Sequence, residues 1–249
     1  MEGLYILGSG RRQLIHRFSA GIAIKLDSGI ILIDPGVGTL VRASQVGLNL
    51  SDTKFIVVTK NSYNHCSDVN AIADIIASAG KKCSLIGCDA FINKSSLLTD
   101  EAKNSFDKVI VLKPEQEITL DNIRFSGLPA KSNEESSIGL KLEIFGLRLC
   151  YSSDTEYFDE LLRFFKGEIF IFNVGAYGKK YVKHELNTED VIRISKENHP
   201  KLVILTHFDK DYERNPIYEA RDVNQATGVQ CVAANDGMFV DFGMYLKKV

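Results

Sequence analysis

At 249 residues, 45% hydrophobic and 25% charged, the chain is long enough to bury a sizeable core in one large α/β domain. A formal net charge of −2 excludes a global electrostatic pull toward nucleic acid, and no stretch approaches the ~20 apolar residues that span a bilayer. Cys66, Cys83, Cys88, Cys150 and Cys231 make no CxxC pair, and MEGLYILGSG lacks a charged stretch ahead of a long apolar run, so the expected setting is reduced and cytoplasmic.

In chain order the first half reads as β-rich. GLYILGSG, AGIAIKL and GIILIDPG are short apolar runs punctuated by Gly and Pro, and KFIVVT is a strand that opens into a polar loop. DVNAIADIIASAG (68–80) carries helical spacing, CSLIGC is a strand, SSLLTDEAKNSF starts a helix, and KVIVL returns to strand. QEITLDNIRFSGLPA, SIGLKLEIFG and LRLCYSSD add further strands, two of them with clear alternation. The second half alternates: TEYFDELLRFF reads as an amphipathic helix and EIFIFNVG as a strand. NTEDVIRISKENH is a helix capped at Asn187 or Thr188, KLVILTHFD a strand, YEARDVNQATG a short helix, and VQCVAAND and MFVDFG are closing strands. Two successive halves of strands then helices predict an αββα sandwich, two mixed sheets face to face with helices outside, as a single domain over 1–249.

Polar residues gather where strands end. Thr206-His207-Phe208-Asp209 follows KLVIL, Tyr151-Ser152-Ser153-Asp154 follows LRLC, and Asn64-His65 lies in the loop after FIVV. Strand ends can converge on one sheet edge, where His65, Asp154 and His207 would give a divalent metal two imidazoles and a carboxylate. The competing reading of each is a helix cap or a surface group.

These segments resemble the metallo-β-lactamase superfamily, nearest to its ribonuclease Z-like hydrolases of archaea and bacteria. LYILGSGRRQLIHRFSAGIAIKLDSGIILIDPGVGTLVRASQVGLN is similar to that group's first hairpins and Asp-Pro-Gly turn. FIVVTKNSYNHCSDVNAI falls on its His-x-His-x-Asp-His loop, GLPAKSNEESSIGLKLE on its third-motif segment and LRLCYSSDTEY on its bridging-Asp motif. KHELNTEDVIRISKENHPKLVILTHFD resembles its closing histidine motifs. The resemblance implies the fold above and a hydrolase built on two dications. It puts the loop histidines on Lys60, Ser62 and His65, the loop Asp on Asn64, the third-motif His on Ser132, the bridging Asp on Asp154 and the last His on His207.

On that alignment the first metal position has lost every imidazole, and the second keeps His65, Asp154 and His207 with Asn64 for a carboxylate. Three expectations follow: a binding or regulatory protein with the fold but no bound metal; a mononuclear hydrolase with one divalent ion, zinc by donor type, acting on a phosphoester or other ester-like substrate; or metal-free chemistry around Lys60, His65, His184 and Cys66. His184 aligns with a histidine that closes over related active sites, and Asp34 with a residue that orients a ligand. Lys60 is expected to pair with Asp154, the alternative being an ammonium that reaches solvent along its own stem.

Ordinary readings stand beside these. Cys66 reads as a buried helix-start residue, Gly8–Gly10 as a hairpin turn rather than a phosphate loop, and His16 and His199 as surface residues. The short GAYGKKYVKH turn leaves no room for a transfer-RNA-gripping arm, and Lys179, Lys180 and Lys183 make a small patch. The expected partner is therefore a small molecule or protein, with no nucleic acid and no membrane, and a homodimer as the candidate assembly.

Overall fold

The β-branched runs of the first half form β1 (Gly3–Ile6), β2 (Ile22–Leu26), β3 (Gly29–Ile33), β4 (Thr53–Val58), β5 (Ser84–Gly87) and β6 (Lys108–Val111). This computed structural model describes residues 2–11, 17–19, 21–209 and 215–246. Between the strands run α1 (Thr39–Gln45), α2 (Tyr63–Cys66), α3 (Val69–Ser78), α4 (Asp89–Lys94) and α5 (Asp100–Ser105). The second half gives β7 (Glu117–Leu120), β8 (Ile123–Pro129), β9 (Ile138–Ile144), β10 (Leu147–Tyr151), α6 (Leu161–Phe164), β11 (Ile169–Ala176) and β12 (Leu186–Asn187). It continues through α7 (Thr188–Asn198), β13 (Leu202–Thr206), α8 (Pro216–Thr227), β14 (Gln230–Ala233) and β15 (Met238–Asp241).

Two units emerge, Met1–Leu112 with Asn235–Met244 and Lys113–Ala234 with Tyr245–Val249. The first holds a sheet in the order β15-β1-β2-β3-β4-β5-β6, antiparallel up to β3 and parallel from β3 to β6. The second holds β14-β13-β11-β10-β9-β8-β7, with β12 beside β11; it is parallel from β14 to β10 and antiparallel beyond. The expected α/β class with two mixed sheets is what the chain forms. Parallel neighbours end at the same edge of their sheet, so each unit collects its polar strand-end residues there.

Helix α3 follows its sequence spacing: Val69, Ile72, Ala73 and Ile76 are buried and the intervening positions are not. Helix α7 starts at a full capping box, Asn187 accepting from the Asp190 amide and Asp190 accepting from the Asn187 amide, each at 3.0 Å. In the second unit Phe165 stacks on Phe172 at 5.0 Å and meets Phe170 edge-on at 5.3 Å, among buried Leu161, Val191, Ile194 and Leu205. Each such side chain contributes roughly 1.5–3 kcal/mol by leaving water.

Three readings need correction. TEYFDELLRFF is not one helix; only Leu161–Phe164 is helical. Thr155 and Glu156 are held by the 131 segment instead, the Lys131 amide donating to Thr155 Oγ1 at 2.9 Å and the Glu156 amide to the Lys131 carbonyl at 3.0 Å. Helix α8 begins earlier than YEARDVNQATG, at Pro216, behind an Asn215 side chain that caps Ile217. Helices α1 and α4 went unread, being seven and six residues long with no side-chain cap at their start.

Candidate metal centre

In the first unit β3 and β4 are parallel with Ile33 beside Val57, which sets the residues after each strand side by side. Asp34 follows β3 at φ 49°, is fully buried, and its amide donates to the Val57 carbonyl at 2.8 Å. Its carboxylate accepts from the Thr59 amide at 2.7 Å, the Thr59 hydroxyl at 2.6 Å and His65 Nδ1 at 2.8 Å. A carboxylate on Nδ1 fixes the ring and puts the proton there, so the neutral imidazole carries its lone pair on Nε2, the arrangement that orients a metal-ligating histidine.

The loop is pinned from below. A Cβ on Gly36 would lie 1.9 Å from the Asn64 carbonyl oxygen, so the Asp-Pro-Gly turn and the 60–65 backbone touch directly. The Asp68 amide donates to the Pro35 carbonyl, and its carboxylate accepts from the Leu40 amide at 3.0 Å. Burial raises the Asp68 pKa, and amides at the start of α1 oppose that shift.

Lys60 is buried, only 5% exposed, which removes the reading of an ammonium stretched out to solvent. Ser62 occupies the position before α2, Asn64 is half-buried, and Ser132 is half-buried with its hydroxyl on Asn133 Oδ1 at 3.3 Å. Cys66 is fully buried, its thiol donating to the Ser62 carbonyl at 3.1 Å. Burial, then the nearby Asp34 charge, push its pKa up to about 12, which favours the protonated thiol at neutral pH.

In the second unit the β11–β13 register sets Asn173 beside Thr206, directly before His207, while β10 ends at Tyr151, shortly before Asp154. Asp154 Oδ1 accepts from Asn173 Nδ2 at 2.9 Å and lies 3.2 Å from His207 Nε2; both residues are buried. Asn173 Nδ2 also reaches the Tyr151 hydroxyl at 3.1 Å, and its amide donates to Ser152 Oγ at 2.9 Å. Asn173 went unnoticed in the sequence; the signal available was one amide side chain inside the apolar run EIFIFNVG.

His184, in the loop before β12, has its ring Nδ1 3.8 Å from Glu156 Oε2, and its amide donates to the same oxygen at 3.2 Å. Asp34, Ser153, His184 and His207 have positive φ, a costly conformation for non-glycine residues, as do six other non-glycine residues away from these, such as Asp121, Asn122 and Phe145 in strand turns. Of the residues read as incidental, His199 is an exposed left-handed C-cap of α7 and His16 lies outside the described residues. Ser9 is taken by Asp236, whose Oδ1 accepts from its amide at 2.8 Å and its hydroxyl at 2.7 Å, so a carboxylate holds the Gly8–Gly10 turn. No disulfide joins the five cysteines, and among the described residues no helix is long and apolar enough to cross a membrane.

As donors, an imidazole with Nδ1 held by a carboxylate and an imidazole beside an amide-anchored carboxylate are chemically suited to a divalent ion of the zinc type. A family model described as the beta-lactamase superfamily domain matches residues 30–208. An uncharacterized protein of Methanocaldococcus jannaschii is 25% identical over 245 residues, 94% of this chain and 92% of that one. The metallo-β-lactamase fold protein YhfI of Bacillus subtilis is similar in structure with a TM-score of 0.84 at 15% identity, over 96% of this chain and 98% of that one. The short form of human tRNase Z has a TM-score of 0.68 at 14% identity, over 97% and 99%. The fold is thus the metallo-β-lactamase fold. With the family model matching well over half of its length, the chain belongs to the beta-lactamase superfamily.

Proposed function

We propose that this protein has given up the two-metal hydrolysis of its family and works as a binding or regulatory module for a small molecule or protein, its two units acting as one domain. The observation that carries this reading is Lys60, a cation only 5% exposed where the family's first loop histidine aligns. At ~4 Å and an effective dielectric of ~20, each unit-charge pair of ammonium and metal repels by ~4 kcal/mol. Ser62, Asn64 and Ser132 offer no imidazole or carboxylate to offset that. Elemental analysis of the purified protein tests it: fewer than two metals per chain are expected, and two tightly held zincs would overturn it. Replacing Lys60→His, Ser62→His, Asn64→Asp and Ser132→His together is expected to bring back two-metal binding.

A second reading is favoured by the Asp34–His65 hydrogen bond, since a ring held at Nδ1 is what a ligand at Nε2 requires. Here His65, Asp154 and His207 would together hold one divalent ion, zinc, with Asn64 or solvent as a further ligand. That ion would supply Lewis acidity toward a phosphoester or other ester-like substrate. Asp34 orients His65, Asn173 steadies Asp154, and His184 Nδ1 lies 3.8 Å from Glu156 Oε2. Turnover of bis-p-nitrophenyl phosphate that a chelator removes and zinc restores would select this reading; no turnover with a metal-loaded protein would reject it. Transfer RNA is not the proposed substrate, because only residues 177–185 separate β11 from β12, too few for a gripping arm.

A further inference from the structure

An open cleft of about 800 Å³ lies in the first unit at the end of its sheet away from Asp34 and His65. Strand β3 enters at Gly29 on the cavity wall and leaves at Ile33 beside Asp34, which separates the two places by about 16 Å at ~3.3 Å per residue. The wall comes from the β2–β3 turn, the chain leading into β4, and Lys81–Lys82 after α3.

Its charge is unbalanced. Lys25, Lys54, Lys81 and Lys82 line it against Asp27 and Asp52. Lys81 Nζ is held by Asp52 Oδ1 at 2.5 Å, and Lys82 Nζ by Asp107 Oδ1 at 3.3 Å. Among the described residues neither Lys25 nor Lys54 makes an ion pair. Lys54 reaches the wall through a local irregularity: β3 pairs Ile30 with Thr53 but Ile31 with Phe55, leaving Lys54 as the extra residue of a bulge, a device that re-aims side chains. Its stem lies across Gly29, where a Cβ would come within 2.9 Å of Lys54 Cγ and 2.8 Å of the Asp52 carbonyl, at a φ of +141°. Thr53, in the same wall, is 1% exposed, and its hydroxyl has no hydrogen-bond partner among the described residues.

We infer that this cavity is an anion site, separate from the candidate metal centre, for a small phosphorylated molecule. Ammonium groups act as point charges that can meet a phosphate's several anionic oxygens from different sides, and four lysines supply them on this wall. The volume exceeds what orthophosphate needs and leaves room for the group that bears it.

The test is a titration of the full chain with inorganic pyrophosphate at constant ionic strength, followed by backbone amide resonances. Saturable shifts at Gly29, Gly47 and Thr53 are expected, and a readout local to the cavity is not confused by metal chelation elsewhere. Lys25→Gln with Lys54→Gln should weaken binding about tenfold or more while leaving distant resonances in place, and Lys25→Arg with Lys54→Arg should keep it. Shifts reproduced by sodium chloride alone, or an affinity unchanged in the double glutamine variant, would overturn the assignment.

Discussion

Asp34 gathers three donors from two residues into one buried carboxylate, and through His65 Nδ1 it orients a candidate ligand without being one. Losing such a partner typically costs 10–100-fold in metal affinity. If the chain holds a single zinc ion, Asp34→Asn is expected to weaken its retention by about that factor, read by competition with a chromophoric chelator; unchanged retention would reduce Asp34 to a fold-stabilising role. If a single metal is bound, His65→Ala and His207→Ala should each remove it, whereas Ser132→Ala should leave metal content unchanged. That contrast follows from the donors alone, since a neutral hydroxyl is a poor ligand where an imidazole is a good one.

Between residue and domain, the elements work by holding loops still. At Gly36 the turn after β3 presses on the Asn64 carbonyl, and backbone cannot swing aside as a flexible side chain can. Gly36→Ala is expected to destabilise the protein by about 2 kcal/mol and to disturb the His65 loop, measured by urea unfolding and by metal content. The α7 capping box makes a milder case. Asn187→Ala leaves the Asp190 amide without its cap and should lower the unfolding free energy by about 1 kcal/mol with little effect on metal content.

For the whole molecule, the clearest pH dependence lies in the thiols. Burial raises Cys66, Cys83 and Cys150 from 9.0 to about 12. Their unfolded forms lose protons first, so above pH ~9 the folded state binds more protons and stability falls as pH rises toward 12. At pH ~10 each thiol costs roughly 1.4 kcal/mol relative to neutral pH. Urea midpoints at pH 8 and pH 10 should separate accordingly; equal midpoints would mean that these thiols are not shielded when folded.

Much of the architecture was written in local pattern. Period-two and continuous apolar runs placed β1 through β15 apart from the two-residue β12, with β7 and β8 inside the one run QEITLDNIRFSGLPA; the spacing of Val69, Ile72, Ala73 and Ile76 placed α3, and Asn187 with Asp190 placed the start of α7. These depend on neighbours in the chain, so the chain alone determines them. The family was equally legible, because its motifs are ordered in sequence even where Lys60, Ser62, Asn64 and Ser132 interrupt them. Only the tertiary structure decided the rest. It broke TEYFDELLRFF by tying Thr155 and Glu156 to Lys131, and gave Asp154 the amide of Asn173. It also set Asp34 on His65 across 31 positions and buried the Lys60 side chain. Partners joined by strand register and burial lie far apart in sequence, where no local pattern records them.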